Sequence, residues 1–74
     1  MVRIIINDKI RFGKPIIEGT RITVDEVLGA LAGGMTYEEI EKEYGLKKED
    51  ILAALLYATK IIAEEKVGIV RIEK

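Results

Sequence analysis

Residues 35–55, MTYEEIEKEYGLKKEDILAAL, decide the fold. Thr36-Tyr37-Glu38-Glu39 is a capping box: the threonine hydroxyl accepts from the third helical N–H, and the glutamate three residues on reaches back to the cap's own N–H. A helix therefore starts at Tyr37, with Ile40 and Tyr44 four apart on one face. Gly45 stands where a left-handed C-cap belongs and ends it after two turns. Leu46 is a single apolar residue in a tight connection. Lys47-Lys48-Glu49-Asp50 then opens a longer helix, with its acids at the favourable end of the helix dipole. A short capped helix, a glycine turn pinned by one leucine and a longer helix make a helix-turn-helix layout, because the glycine permits a steep exit and the leucine fixes the next helix's angle.

Upstream the same grammar recurs. Thr23-Val24-Asp25-Glu26 is a second capping box, Val24, Val27, Leu28 and Leu31 trace a helical stripe, and Gly33-Gly34 stops it, giving a helix over about 24–33. Before it, Val2–Ile6 reads as a short strand and Asp8–Pro15 as an irregular, turn-rich arm. Ile16-Ile17 and Arg21-Ile22 form a second extended pair around Glu18-Gly19-Thr20. Downstream, Ile51, Leu52, Leu55, Leu56, Ile61 and Ile62 give the third helix, about 48–65, a very wide apolar face. Val67–Ile72 alternates as a last strand able to pair with Val2–Ile6 in its own or a neighbouring subunit. The expected fold is mainly α with short β-strands: a trihelical helix-turn-helix-like core (23–65) between a strand and basic arm (1–22) and a C-terminal strand (66–74), in one domain.

Composition narrows the functions. The chain has 74 residues, of which 49% are hydrophobic. A domain this small hides only about 60% of its unfolded surface, so the apolar excess points to a homodimer, with Ile5, Leu52, Leu56, Ile62 and Val70 as candidate interface residues. Histidine and cysteine are absent, which removes the commonest general base and the usual metal ligands. Gly29–Gly34 (GALAGG) lacks the lysine of a phosphate-binding loop. A ribonuclease of the PIN type needs several aspartates on a sheet, and this chain has Asp8, Asp25 and Asp50. Catalysis, a cofactor, a metal and a small-molecule substrate are therefore not expected. The first residues, MVRIIINDKIRF, reach charge too soon for a signal peptide, and no apolar stretch approaches the ~18 residues of a membrane span. A cytoplasmic location is expected. The excess of Ile, Lys and Glu, without Gln, fits a hot-environment host.

Charge is uneven. The net value is -1, but residues 1–21 carry Arg3, Lys9, Arg11, Lys14 and Arg21 against Asp8 and Glu18. Residues 22–45 carry Lys42 against Asp25, Glu26, Glu38, Glu39, Glu41 and Glu43. Phosphate contacts belong to the first segment, and the acidic middle suits a basic protein partner. In a conventional DNA reader the first turn of the third helix enters the major groove. Here Lys47 and Lys48 are followed by two acids and then mostly Ala, Leu and Tyr, so direct base readout is disfavoured. Lys14, Arg21, Lys47, Lys48 and Arg11 are the candidate nucleic-acid contacts. For Lys14 and Arg21 a structural role is equally open, with Arg21 reaching an acid or the turn carbonyls. Gly19 and Thr20 are read as turn-makers.

Gly13-Lys14-Pro15-Ile16-Ile17-Glu18-Gly19-Thr20-Arg21-Ile22, followed by a helix and then the Gly34–Ala58 stretch, resembles domain-of-unknown-function family 433, whose members are described as VapB-type antitoxins. The resemblance runs from about Gly13 to Ala58. Tyr44-Gly45-Leu46 is a mild variant of the family's turn, and this chain ends in a strand-like sequence where members often carry a disordered toxin-binding tail. The resemblance implies a helix-turn-helix-like domain, neutralisation of a PIN-like ribonuclease toxin, and autoregulatory binding to promoter DNA. The expectation is an antitoxin-like DNA-binding dimer, with a non-DNA-binding adaptor or structural subunit as the rival.

Overall fold

The computed structural model describes residues 2–64. Within them the order is β1 (Ile4–Ile5), a single turn at Arg11–Gly13, β2 (Ile16–Ile17), α1 (Val24–Ala32), α2 (Tyr37–Tyr44) and α3 (Lys48–Glu64). The chain is mainly α with short strands, as its sequence indicates. The expected strand at Val67–Ile72, including Val70, lies outside the described residues.

One of the strand expectations changes: the first strand is shorter than Val2–Ile6. It pairs with β2, antiparallel, with Ile4 opposite Ile17 and Ile5 opposite Ile16. β2 also bridges Thr23 through Ile16, so it is the middle of three extended segments. Glu18 N–H donates to Arg3 O at 2.9 Å, and Thr20 N–H closes the tight turn on Ile17 O at 3.0 Å. Gly19 sits at the third position of that turn with φ +85°, which a side chain would resist. The Thr20 hydroxyl donates to Ile17 O (2.8 Å) and accepts from Ile22 N–H (3.0 Å). Both residues therefore do the turn-making work read from the sequence.

Both capping boxes form. Thr23 accepts from Glu26 N–H at 3.1 Å while Glu26 accepts from Thr23 N–H at 2.9 Å. The corresponding distances at Thr36 and Glu39 are 3.1 and 2.8 Å. α1 ends at Ala32, one residue early, with Gly33 as a right-handed cap before Gly34, at φ +98°, reverses the chain. Gly45 takes the left-handed C-cap at φ +68°, and Leu46 N–H returns to Glu41 O at 3.1 Å. The leucine itself is buried. Ile16, Ile17, Val24, Val27, Ile40, Leu46, Ile51 and Ala54 form the buried apolar set. It draws on β2, all three helices and the turn, each larger side chain contributing about 1.5–3 kcal/mol by leaving water.

Candidate interaction surfaces

The basic arm is tied to the N-terminus of α1. Arg11 Nη1 donates to Glu26 Oε1 at 2.7 Å and to the carbonyl of Arg21 at 2.9 Å. Lys14 Nζ lies 3.2 Å from Asp25 Oδ2. Two of the five candidate phosphate contacts thus already face carboxylates. The reach to an acid foreseen for Arg21 is made by Arg11, and Arg21 contributes only its carbonyl. Glu26 Oε1 accepts also from the Thr23 hydroxyl at 3.0 Å, so one oxygen gathers the cap, the helix start and the arm. Thr23 N–H, then the Thr23 hydroxyl and the Arg11 guanidinium, hold the Glu26 carboxyl below the ordinary glutamate range against the opposing effect of burial.

The other candidate cations are elsewhere. Lys47 and Lys48 are exposed at the start of α3, where Asp50 Oδ2 accepts from Lys47 N–H at 2.8 Å. This is half a capping box, since lysine has no hydroxyl to complete it, and it turns one of the two acids back onto the helix. Lys14 borders the same groove as Ile61 and Ile62. Ile61 and Ile62 lie toward the opposite end of α3 from Lys47 and Lys48. The five cations do not form one patch. Among the described residues, Arg21, Lys47 and Lys48 stand outside the three ion pairs, Arg3–Glu18, Arg11–Glu26 and Lys14–Asp25.

The wide apolar face of α3 divides. Ile51 and Ala54 are buried, whereas Leu52 is 46% and Leu56 58% exposed, one helical turn apart. Ile61 and Ile62 are exposed as well. Ile5 is half-buried, and Ile4 rather than Ile5 packs on the core. Two grooves flank the helix, both bordered by Tyr57. The first, about 520 Å³, runs between Val2 and Ile4 of the β1 segment and Leu52 and Leu56. The second, about 390 Å³, runs between Pro15, Val24 and Leu28 and the Ala58–Ile62 stretch. Among the described residues no group of three or more His, Cys, Asp or Glu side chains is placed to hold a metal ion, and no described helix is long and apolar enough to cross a membrane.

A family model described as "Protein of unknown function (DUF433)" matches residues 4–58. The chain belongs to this family. The DUF433 match spans β1 through the first eleven residues of α3, and so covers the arm, the three helix starts and the row Leu52, Leu56. It stops before Ile61 and Ile62. No curated protein matches the chain. The DUF433 chain is also similar to the crystal structure of Rv2018 from Mycobacterium tuberculosis, with 27% identity, a TM-score of 0.64, and 70% of this chain covered. The similar region amounts to 24% of Rv2018, so there the fold is one part of a longer protein.

Two residues escaped the sequence reading. Glu26 was legible as a cap but not as the partner of Arg11, because nothing local connects positions fifteen apart. Phe12 passed as one more arm residue. It is the chain's single phenylalanine and is 97% exposed.

Proposed function

We propose that the chain is a homodimeric binding subunit of the antitoxin type whose principal activity is docking protein. Two copies join across α3, and the joined pair takes a PIN-like toxin protein as partner, with no catalytic step, cofactor or small-molecule substrate. The observation that carries the dimer is the row Leu52 and Leu56, left in solvent on the outer side of a helix whose inner side is buried. Large apolar residues set together at helical spacing and exposed among the described residues suit an interface. The resemblance to VapB-type antitoxins across Gly13–Ala58 supports the choice of partner. So do the exposed acids Glu38 and Glu43 on α2, which suit a basic protein. Sedimentation velocity tests the dimer directly: the wild-type chain sediments as a dimer and Leu56→Glu as a folded monomer. A wild-type chain that stays monomeric and folded at high micromolar concentration removes the reading.

Promoter DNA is the second reading, favoured by the exposed cations Arg21, Lys47 and Lys48 and by the turning back of Asp50. Arg11 and Lys14 add less, because Glu26 and Asp25 remain beside them and repel phosphate. A duplex carrying the chain's own upstream sequence should bind with an affinity that falls steeply with salt as counterions are released, by close to one unit of log–log slope per phosphate contact. Toxin capture without any DNA affinity leaves the docking role and discards this one.

A further inference from the structure

Arg11, Phe12 and Gly13 are three consecutive residues in the left-handed region, with φ of 50°, 60° and 76°. For glycine this conformation is ordinary, but for arginine and phenylalanine it is unfavourable and persists only where the surroundings impose it. The surroundings do so here. Gly13 N–H donates to Ile10 O and Lys14 N–H to Arg11 O, each at 3.2 Å, while the Arg11 side chain is anchored on Glu26 and on the Arg21 carbonyl. The product of this enforced turn is a phenyl ring held out in water at 97% exposure. The monomer's core gains nothing from it.

The occupant that fits the ring is on the same molecule. The second groove, about 390 Å³, is walled by Pro15, Val24, Leu28, Tyr57, Ala58 and Ile61, and an apolar cavity of roughly 150 Å³ already accepts a benzene ring. Pro15 is three residues from Phe12, so knob and groove lie within about 11 Å along the chain. In a two-fold dimer each surface patch meets its own copy, which requires a knob and its hole to be neighbours on one face. They are. The charges beside the ring are paired off, Arg11 with Glu26 and Lys14 with Asp25. The setting is therefore near neutral, suited to an apolar protein groove rather than to a nucleic-acid backbone. Tyr57 borders both grooves, so the second groove lies beside the one lined by Leu52 and Leu56.

We infer that Phe12 of each copy inserts into the groove between α1 and α3 of the other, so that the left-handed turn is a reciprocal dimer anchor. The inference rests on the homodimer reading above and assigns the residues that lock it. Because the chain has no tryptophan, Phe12→Trp places a single, selectively excited tryptophan on the knob. Its emission is expected to be blue-shifted at high concentration and to move to the water-exposed wavelength on dilution from about 1 mM to about 1 μM. Phe12→Ala, at a position the monomer does not bury, should keep the wild-type circular dichroism while raising the dimer Kd by about 100-fold, the loss of a pair of aromatic anchors. Ile61→Lys, which charges the groove wall, should do the same. An equimolar mixture of the Phe12→Ala and Ile61→Lys chains should dimerise more tightly than either alone, since one knob still meets one open groove. Wild-type dimer affinity in Phe12→Ala overturns the anchor and leaves the α3 seam standing. A wild-type chain that is monomeric throughout overturns both. Unchanged dimerisation with lost binding of DNA or of another protein overturns it in favour of that occupant.

Discussion

A single carboxylate oxygen, Oε1 of Glu26, accepts from Thr23 N–H, the Thr23 hydroxyl and Arg11 Nη1 at 2.9, 3.0 and 2.7 Å. Thr23 is fully buried, whereas the equivalent Thr36 of α2 is exposed. The two caps look identical in sequence, yet their removal should differ. Thr23→Ala should cost about 1–2 kcal/mol, since it deletes a cap and strips a buried bond. Thr36→Ala should cost only about 0.5–1 kcal/mol, and urea unfolding of the two variants checks the order. The same site predicts an acid response. The carboxyl of Glu26 is lowered from 4.5, first by Thr23 N–H, and that of Glu39 from 4.5, first by Thr36 N–H. Groups with lowered values in the folded state lend stability that is complete above their unfolded value and disappears as pH falls through the folded one. The melting temperature should therefore hold steady from neutral pH to about 5 and decline below about 4.5. Glu26→Gln should start lower, decline less, and meet the wild-type curve in acid. Identical slopes in both proteins would show that Glu26 is not a source of the pH dependence. The caps were readable beforehand because donor and acceptor are three residues apart, a spacing any helix start enforces. The Arg11 bond spans fifteen residues, and only the folded arm brings its ends together.

Among the elements, α2, its turn and α3 were read almost to the residue, because Gly45 and Leu46 each carry a local instruction: a left-handed φ and a single apolar pin. Strand pairing carried no such address. Val2–Ile6 and Ile16-Ile17 are both β-branched runs, and pattern alone does not say that they pair or in which register. The third helix showed its apolar width in sequence but not its division, since alanines fill the gaps between leucines and blur the stripe. Glycines give a test of how far local conformation rules these elements. At Gly45 and Gly29 alike, an added Cβ meets nothing within 4 Å. Sterics are thus removed from the comparison, and only the backbone differs: φ is +68° at Gly45, while Gly29 is inside α1. Gly45→Ala should lose about 1–2 kcal/mol to the left-handed conformation, and Gly29→Ala should gain about 0.5–1 kcal/mol from helix propensity. Opposite signs in the same denaturation assay are the expected result. A loss at both positions would mean that Gly29 faces a close neighbour, as the seam between two copies would supply.

At the scale of the whole molecule, folding and pairing are coupled in a way the core composition makes measurable. Six of the eight buried apolar residues sit within the helices and the turn between α2 and α3, a small core for a domain whose size already limits burial. Meanwhile Leu52, Leu56, Ile61 and Ile62 remain in solvent on α3. If the second copy covers them, the dimer is the state that melts, and mass action makes its melting temperature depend on concentration. A tenfold rise in protein adds about 1.4 kcal/mol per dimer, or about 0.7 per copy. For a domain of this length, 1 kcal/mol moves the midpoint by about 4–8 °C, so each tenfold step should raise it by about 3–6 °C. Leu56→Glu should flatten that dependence and lower the midpoint. It should nonetheless leave a folded chain, because Leu56 is 58% exposed in the single copy and a carboxylate there stays in water unless a partner arrives to bury it. A wild-type midpoint that does not move over two decades of concentration is what independent monomers give, and it would take the seam, the anchor and the dimeric regulator down together.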